Sequence, residues 1–186
     1  MTTPTSVDDL FELFARRGGE EYGESVTSLS HALQCAHLAR EAGAPDEMVA
    51  AALLHDVGHL AADLQGSDRF DLEVDDDVHE ALGGRILSPL FGPSVAQPVA
   101  LHVTAKRWRC TVQPEYYDTL SETSKKTLKA QGGLLSDDER RRFEAHPGFE
   151  RALALRDWDD LAKDPDAVCP DLESYRPMLE RLATRA

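Results

Sequence analysis

Four histidines and a late acidic run punctuate this chain in a fixed order: His31, the adjacent pair His55-Asp56, His79, His102, then Asp157-Trp158-Asp159-Asp160. Successive groups stand 23 to 57 positions apart (Asp56 to His79, and His102 to Asp159). Imidazole nitrogens and carboxylate oxygens are the donors that hold Lewis-acid and redox-active metal ions. A carboxylate can also bridge two ions, which the single donor atom of an imidazole does not do. Four histidines and two carboxylates are therefore enough for two ions. Any fold that uses them must carry widely separated segments to one point.

The remaining composition narrows the class. A chain of 186 residues is expected to form one domain, 1–186, with a real hydrophobic core. Hydrophobic residues make up 41% and charged residues 29%, the balance of a globular protein. A formal net charge of −14 argues against a nucleic-acid partner, which needs clustered Lys and Arg. It leaves room for a small anionic substrate, because local cations can dominate one pocket of an acidic protein. Cys35, Cys110 and Cys169 are odd in number and lack a CxxC spacing, so a disulfide framework is not expected. The N-terminal stretch MTTPTSVDDLFELFARRGG carries acids where a signal peptide needs positive charge, and no apolar run is long enough to span a membrane. The expectation is a cytoplasmic monomer with no membrane partner.

Helical periodicity runs through the sequence, and no convincing alternating strand is visible. Helices are predicted over 7–17, 25–42, 46–62, 77–90, 94–108, 121–130, 136–144, 149–163 and about 171–184. Loops fall at 63–76, 109–120 and 131–135. Ser136 followed by Glu139 has the form of a capping box. The fold expected is an all-α bundle whose core spans about 20–165.

On the predicted 46–62 helix, His55 and His59 are four apart and share a face, with Asp56 about 100° around from His55. Gly58 weakens a helix interior by about 1 kcal/mol against alanine, which close approach of another helix or of substrate would offset. The bland alternative is a helix with incidental polar residues. His31 lies among Leu33, Ala36 and Leu38. A lone histidine there is more often a hydrogen-bonded core residue, but the following His-Asp pair changes that reading. Gln34 lies one turn on, on the same face; His37 falls on another face. Asp75-Asp76-Asp77 reads as solvated surface with Asp77 a helix N-cap. Lys106 sits one turn after His102, as expected if the substrate is anionic; a snorkelling surface lysine is the alternative. Arg156 suits a phosphate-like group through its planar fork. Spacing alone does not choose among Asp157, Asp159 and Asp160.

Together these residues resemble the HD-domain superfamily of metal-dependent phosphohydrolases, and more specifically its mixed-valent diiron oxygenase branch. That branch includes myo-inositol oxygenase and enzymes that cleave 1-hydroxyphosphonates. The resemblance rests on Gly23-Glu24 with His31 and Leu33-Gln34, on His102-Val103 with Ala105-Lys106-Arg107, on Leu120-Ser121 through Ser124, Thr127 and Leu128 to Gln131-Gly132-Gly133, and on Arg156 with Trp158-Asp159. It covers residues from about 20 to 165.

The resemblance implies an all-α HD-domain bundle with a central dinuclear site holding an Fe(II)/Fe(III) pair. His31, His55, Asp56 and Asp159 would hold one iron and His79 and His102 the other, with Asp56 bridging. Dioxygen would be co-substrate. The C–P bond of a 1-hydroxyphosphonate would break to phosphate and a carboxylic acid without an external reductant. His59, Lys106, Ser124 and Arg156 match positions that cradle the phosphonate, His59 and Lys106 counting also as catalytic. Gln34 lies at the pocket, and Glu24 would receive a substrate amine. The substrate expected is 2-amino-1-hydroxyethylphosphonate or an N-methylated analogue. The family's gating tyrosine precedes that glutamate by three positions. Here Glu21 stands there, and Tyr22 is displaced by one. The alternatives are a divalent-metal phosphohydrolase of a phosphate monoester or nucleotide and a non-catalytic metal-binding domain.

Overall fold

A computed structural model of the chain describes residues 3–23, 25–62 and 79–183. Among these, eleven α-helices and one 3₁₀ turn, Leu172–Tyr175, surround a shared apolar interior. The centre is α3 (Asp46–Leu54), where Met48 through Leu54 are all buried. A helix that is apolar all round must be covered on every side. Here α2 (Ser28–Glu41), α6 (Pro93–Val112) and α10 (Phe149–Leu161) supply the cover. The first helix, α1 (Val7–Arg17), and the last, α11 (Arg176–Ala183), add Leu10, Phe14, Met178 and Leu179 to the same core.

Helix ends follow local chemistry. Ser6, Thr27, Ser121 and Ser136 each accept a backbone N–H of the first turn of α1, α2, α8 (Glu122–Ala130) and α9 (Asp137–Glu144). The capping box expected at Ser136 and Glu139 is present in full. Gly92, at φ 70°, turns the chain out of α5 (His79–Phe91), and Pro93 opens α6.

Three readings need correction. Glu21–Gly23 (β1) and Val26–Thr27 (β2) form a short antiparallel pair, so α2 begins at Ser28 rather than Ser25. A two-residue strand is too short to show alternation. The loop expected at 109–120 is largely helical, because α6 runs on to Val112 and Pro114 starts α7 (Pro114–Thr119). Its sequence is polar because α7 buries no residue outright. The predicted 46–62 helix is broken at His55-Asp56, with α4 (Val57–Ala62) resuming beyond. The loop expected at 63–76 and the cap at Asp77 lie outside the described residues.

Two close backbone approaches set the site. A Cβ at Gly58 would stand 1.9 Å from the carbonyl oxygen of His79, so only glycine lets α4 meet the start of α5. A Cβ at Gly84 would lie 2.9 Å from that of Ala100, which lets α5 and α6 pack closely. These contacts bring His79 and His102 to the break after α3.

Candidate metal centre

Each histidine of the ordered series is buried, and three are fixed by a backbone carbonyl. His31 Nδ1 donates to Ala162 O (2.8 Å), His55 Nδ1 to Ala52 O (2.9 Å) and His102 Nδ1 to Val99 O (2.7 Å). A carbonyl oxygen only accepts, so Nδ1 carries the proton and Nε2 is left facing inward. The last two bonds use the carbonyl three residues back on the ring's own helix. Metal-binding imidazoles are commonly oriented in this way through their second nitrogen.

The inward nitrogens meet in pairs. His31 Nε2 and His55 Nε2 are 3.1 Å apart, as are His79 Nε2 and His102 Nε2. Asp56 stands between the pairs. Its Oδ2 lies 3.2 Å from His55 Nε2 and 3.8 Å from His31 Nε2. Its Oδ1 lies 3.4 Å from His79 Nε2 and 3.6 Å from His102 Nε2. Asp159 Oδ1 completes the first group, 3.3 Å from His31 Nε2. Donors held about 2.1 Å from one ion stand about 3.0–3.5 Å apart, and most of these separations fall near that range.

The electrostatics show the same need for positive charge. Burial alone would push His55 down, yet the carboxylates of Asp56 and Asp159 beside it carry it up to about 9. On the other side, burial and the neighbouring His79 and His55 push His102 down to about 3, leaving its lone pair available. Burial opposes the charge on Asp56, but His55 and His79 hold its carboxyl well below the usual range. Asp159 is likewise held low, against burial, by Arg156 and His31. Inward lone pairs, carboxylates that favour a cation and matching separations fit a metal site, with Asp56 facing both histidine pairs.

Two other side chains come close. Cys35 Sγ is 3.7 Å from His31 Nε2, and burial pushes its thiol well up. His59 stacks on His79, ring centroids 3.7 Å apart, with Asp56 also within reach. That contact follows from the break in the helix.

A cleft of about 750 Å³, including its open mouth, leads from these donors to solvent. Tyr22, His59, Lys106, Ser124, Arg156 and Lys163 line it. Lys106 is 4% exposed, which removes the surface-lysine alternative. Its Nζ donates to Thr127 Oγ1 (2.7 Å) and Gln131 Oε1 (3.1 Å), both neutral. Burial, with Arg156 nearby, pushes it down to about 7. Arg156 donates through Nη1 to Asp159 Oδ2 (2.7 Å) and through Nη2 to Asp160 Oδ1. Tyr22 stacks on His31 at 3.9 Å, so the displaced tyrosine still reaches the site.

Gln34 departs from expectation. Its amide donates to Asp164 O (2.9 Å) and Ser30 Oγ (3.1 Å), and its Oε1 accepts from Asp164 N (3.1 Å). It pins the segment after α10 instead of lining the cleft. Glu24 lies outside the described residues. Lys163, whose Nζ is 3.5 Å from Ser124 Oγ, was not among the residues expected, although it stands four positions after Asp159 in the sequence. Nor was Tyr116, which carried no periodic signal.

A bundle of helices gathering His31, His55-Asp56 and Asp159 defines the class: the chain belongs to the HD-domain family, whose profile matches residues 28–163. Among proteins of known activity, it is 44% identical over 174 residues to hydroxymethylphosphonate dioxygenase of Gimesia maris, covering 94% of this chain and 86% of that protein. It is 38% identical over 174 residues to the glycine-betaine-forming 1-hydroxy-2-(trimethylamino)ethylphosphonate dioxygenase of Leisingera caerulea, covering 93% and 88% respectively.

Proposed function

We propose that this chain is a diiron oxygenase that cleaves the C–P bond of a 1-hydroxyphosphonate with dioxygen. The observation that carries the reading is Lys106, a buried ammonium bonded to neutral acceptors and facing the cleft beside the two histidine pairs. A charge so placed lacks a carboxylate partner among the described residues and suits an anionic ligand. Similarity to two phosphonate dioxygenases over most of the chain supports the same class.

In this reading His31, His55, Asp56 and Asp159 would hold one iron and His79 and His102 the second, with Asp56 facing both. The irons, when bound, supply Lewis-acid binding of substrate oxygens and activation of dioxygen. The protein's own groups hold the substrate. Lys106, Ser124 and Arg156 bind phosphonate oxygens, and His59, stacked beside His79, borders the same group. Lys106 and His59 would thereby orient the substrate at the metal site. Tyr22 covers the His31 face and limits water there. For hydroxymethylphosphonate, one dioxygen and one substrate give formate and phosphate. The C–P bond and one C–H bond break, and the four electrons taken up by dioxygen come from the substrate, so no reductant enters. We assign the activity to the cytoplasm, where Cys35, Cys110 and Cys169, all free thiols, remain reduced.

The substrate's second substituent separates the two relatives' activities. Among the described residues, the cleft's carboxylates are Asp56 and Asp159, both facing histidines, so an amine would depend on Glu24. The test is phosphate release by iron-loaded protein from hydroxymethylphosphonate and from 2-amino-1-hydroxyethylphosphonate, in air and under argon. Phosphate only in air is expected from at least one of them. Oxygen-independent hydrolysis of phosphate esters, with neither phosphonate consumed, would make the chain a hydrolase.

A further inference from the structure

The late acidic run divides three ways. Asp157 is exposed and pairs with Arg109 (2.5 Å), while Asp159 turns inward to His31 and Arg156. Asp160 does neither. Its Oδ1 accepts from Arg156 Nη2, and its Oδ2 accepts from the hydroxyl of Tyr116 at 2.5 Å. Arg156 Nε in turn donates to that hydroxyl at 3.0 Å. Arg156, Asp160 and Tyr116 thus form a closed ring of three polar groups, drawn from α10 and from α7. Arg156 is 4% exposed, and α7 buries no residue outright, so the Tyr116 hydroxyl is an inward reach from a surface helix.

The ring fixes the guanidinium plane. Of its five N–H donors, one goes to Tyr116, one to Asp160 and one to Asp159. One donor remains on each terminal nitrogen, on a side chain that lines the cleft. Carboxylates pull on the guanidinium from two sides, Asp159 at the metal centre and Asp160 away from it. Without Asp160's pull, the planar fork would settle onto both oxygens of Asp159, the pairing that arginine and carboxylate favour. Its remaining donors would then leave the cleft.

We infer that Tyr116 and Asp160 are positioning residues that hold Arg156 between Asp159 and the anionic group of the substrate. This rests on the functional reading above for the identity of that group. Breaking a ring that served only to fasten α7 to α10 would lower the melting temperature without altering anion affinity.

The test uses the full iron-loaded chain with Tyr116→Phe, Asp160→Asn and, as control, Asp157→Asn. KM and kcat for hydroxymethylphosphonate are read beside iron content and the Kd for inorganic phosphate by calorimetry. Tyr116→Phe removes one oxygen and carries the test if Asp160→Asn folds poorly. We expect iron content at the wild-type level in Tyr116→Phe, with KM and phosphate Kd raised about tenfold, the scale of one hydrogen bond to a charged group. Asp160→Asn should move both in the same direction, and Asp157→Asn neither. Unchanged KM and phosphate Kd in Tyr116→Phe would overturn the inference, as would a wild-type chain that binds no phosphate. Phosphate binding that weakens in the variants while wild type shows no oxygen-dependent turnover would sustain the positioning role and defeat the functional reading.

Discussion

Asp56 is the residue on which the site turns, because its two oxygens face different histidine pairs across 3.2–3.8 Å. Lys106 is its counterpart on the substrate side. We expect Lys106→Ala to raise KM at least tenfold while leaving iron content within experimental error of wild type, as charge-assisted bonds are worth more than neutral ones. Steady-state kinetics beside metal analysis checks this; unchanged KM and kcat would remove Lys106 from the anion site. At this scale much was legible. The order of His31, His55-Asp56, His79 and His102 pointed to residues that the structure does bring together. Spacing could not separate Asp157, Asp159 and Asp160, because three acids on one helix differ only in direction, which packing against α2 and α6 decides. Gln34 misled for a related reason. Sharing a face with His31 placed it near the site, but its amide found backbone partners at Asp164 first.

The elements matter through where they break and how closely they meet. Broken after His55, the helix from Asp46 presents Asp56 to both pairs and leaves His59 against His79. Periodicity could not show that break, since Ala50 to Leu60 is apolar enough to be one buried helix. The glycine after it did carry a signal, because an interior glycine weakens a helix unless something needs the space. What needs it is the backbone of His79. Gly58→Ala would drive a methyl into that carbonyl, at 1.9 Å before relaxation. We expect a loss of about 1–3 kcal/mol in unfolding free energy, the usual range for overpacking, together with lost iron on the His79 side. Chemical denaturation and iron content test this together. Wild-type stability with full iron would mean that α4 and α5 can part without consequence. The strands at Glu21–Gly23 and Val26–Thr27 were invisible in sequence because two or three residues cannot display a period of two.

Across the whole molecule, an acidic chain of net charge −14 keeps a small cationic wall, Lys106, Arg156 and Lys163, around its cleft. Its pH dependence follows from Lys106, which burial pushes down to about 7. Below that pH the ammonium is present and holds the anion; as pH rises through about 7 it is lost. KM for the phosphonate should therefore climb above neutrality, and Lys106→Arg should flatten the climb because arginine stays charged. For stability the sign reverses. The unfolded lysine keeps its proton up to about 10.5, so the penalty for burying Lys106 shrinks between about 7 and 10.5, and Lys106→Met should reduce that slope in denaturation curves. No helix among the described residues is long and apolar enough to cross a membrane. The proposed dinuclear centre hangs on Asp56, the carboxylate that faces both histidine pairs. Anaerobic iron titration of wild type and Asp56→Ala, with iron per folded chain as the readout, tests it most directly. Wild type is expected to bind two irons and Asp56→Ala neither, whereas a variant that keeps full iron would contradict the bridging role of Asp56.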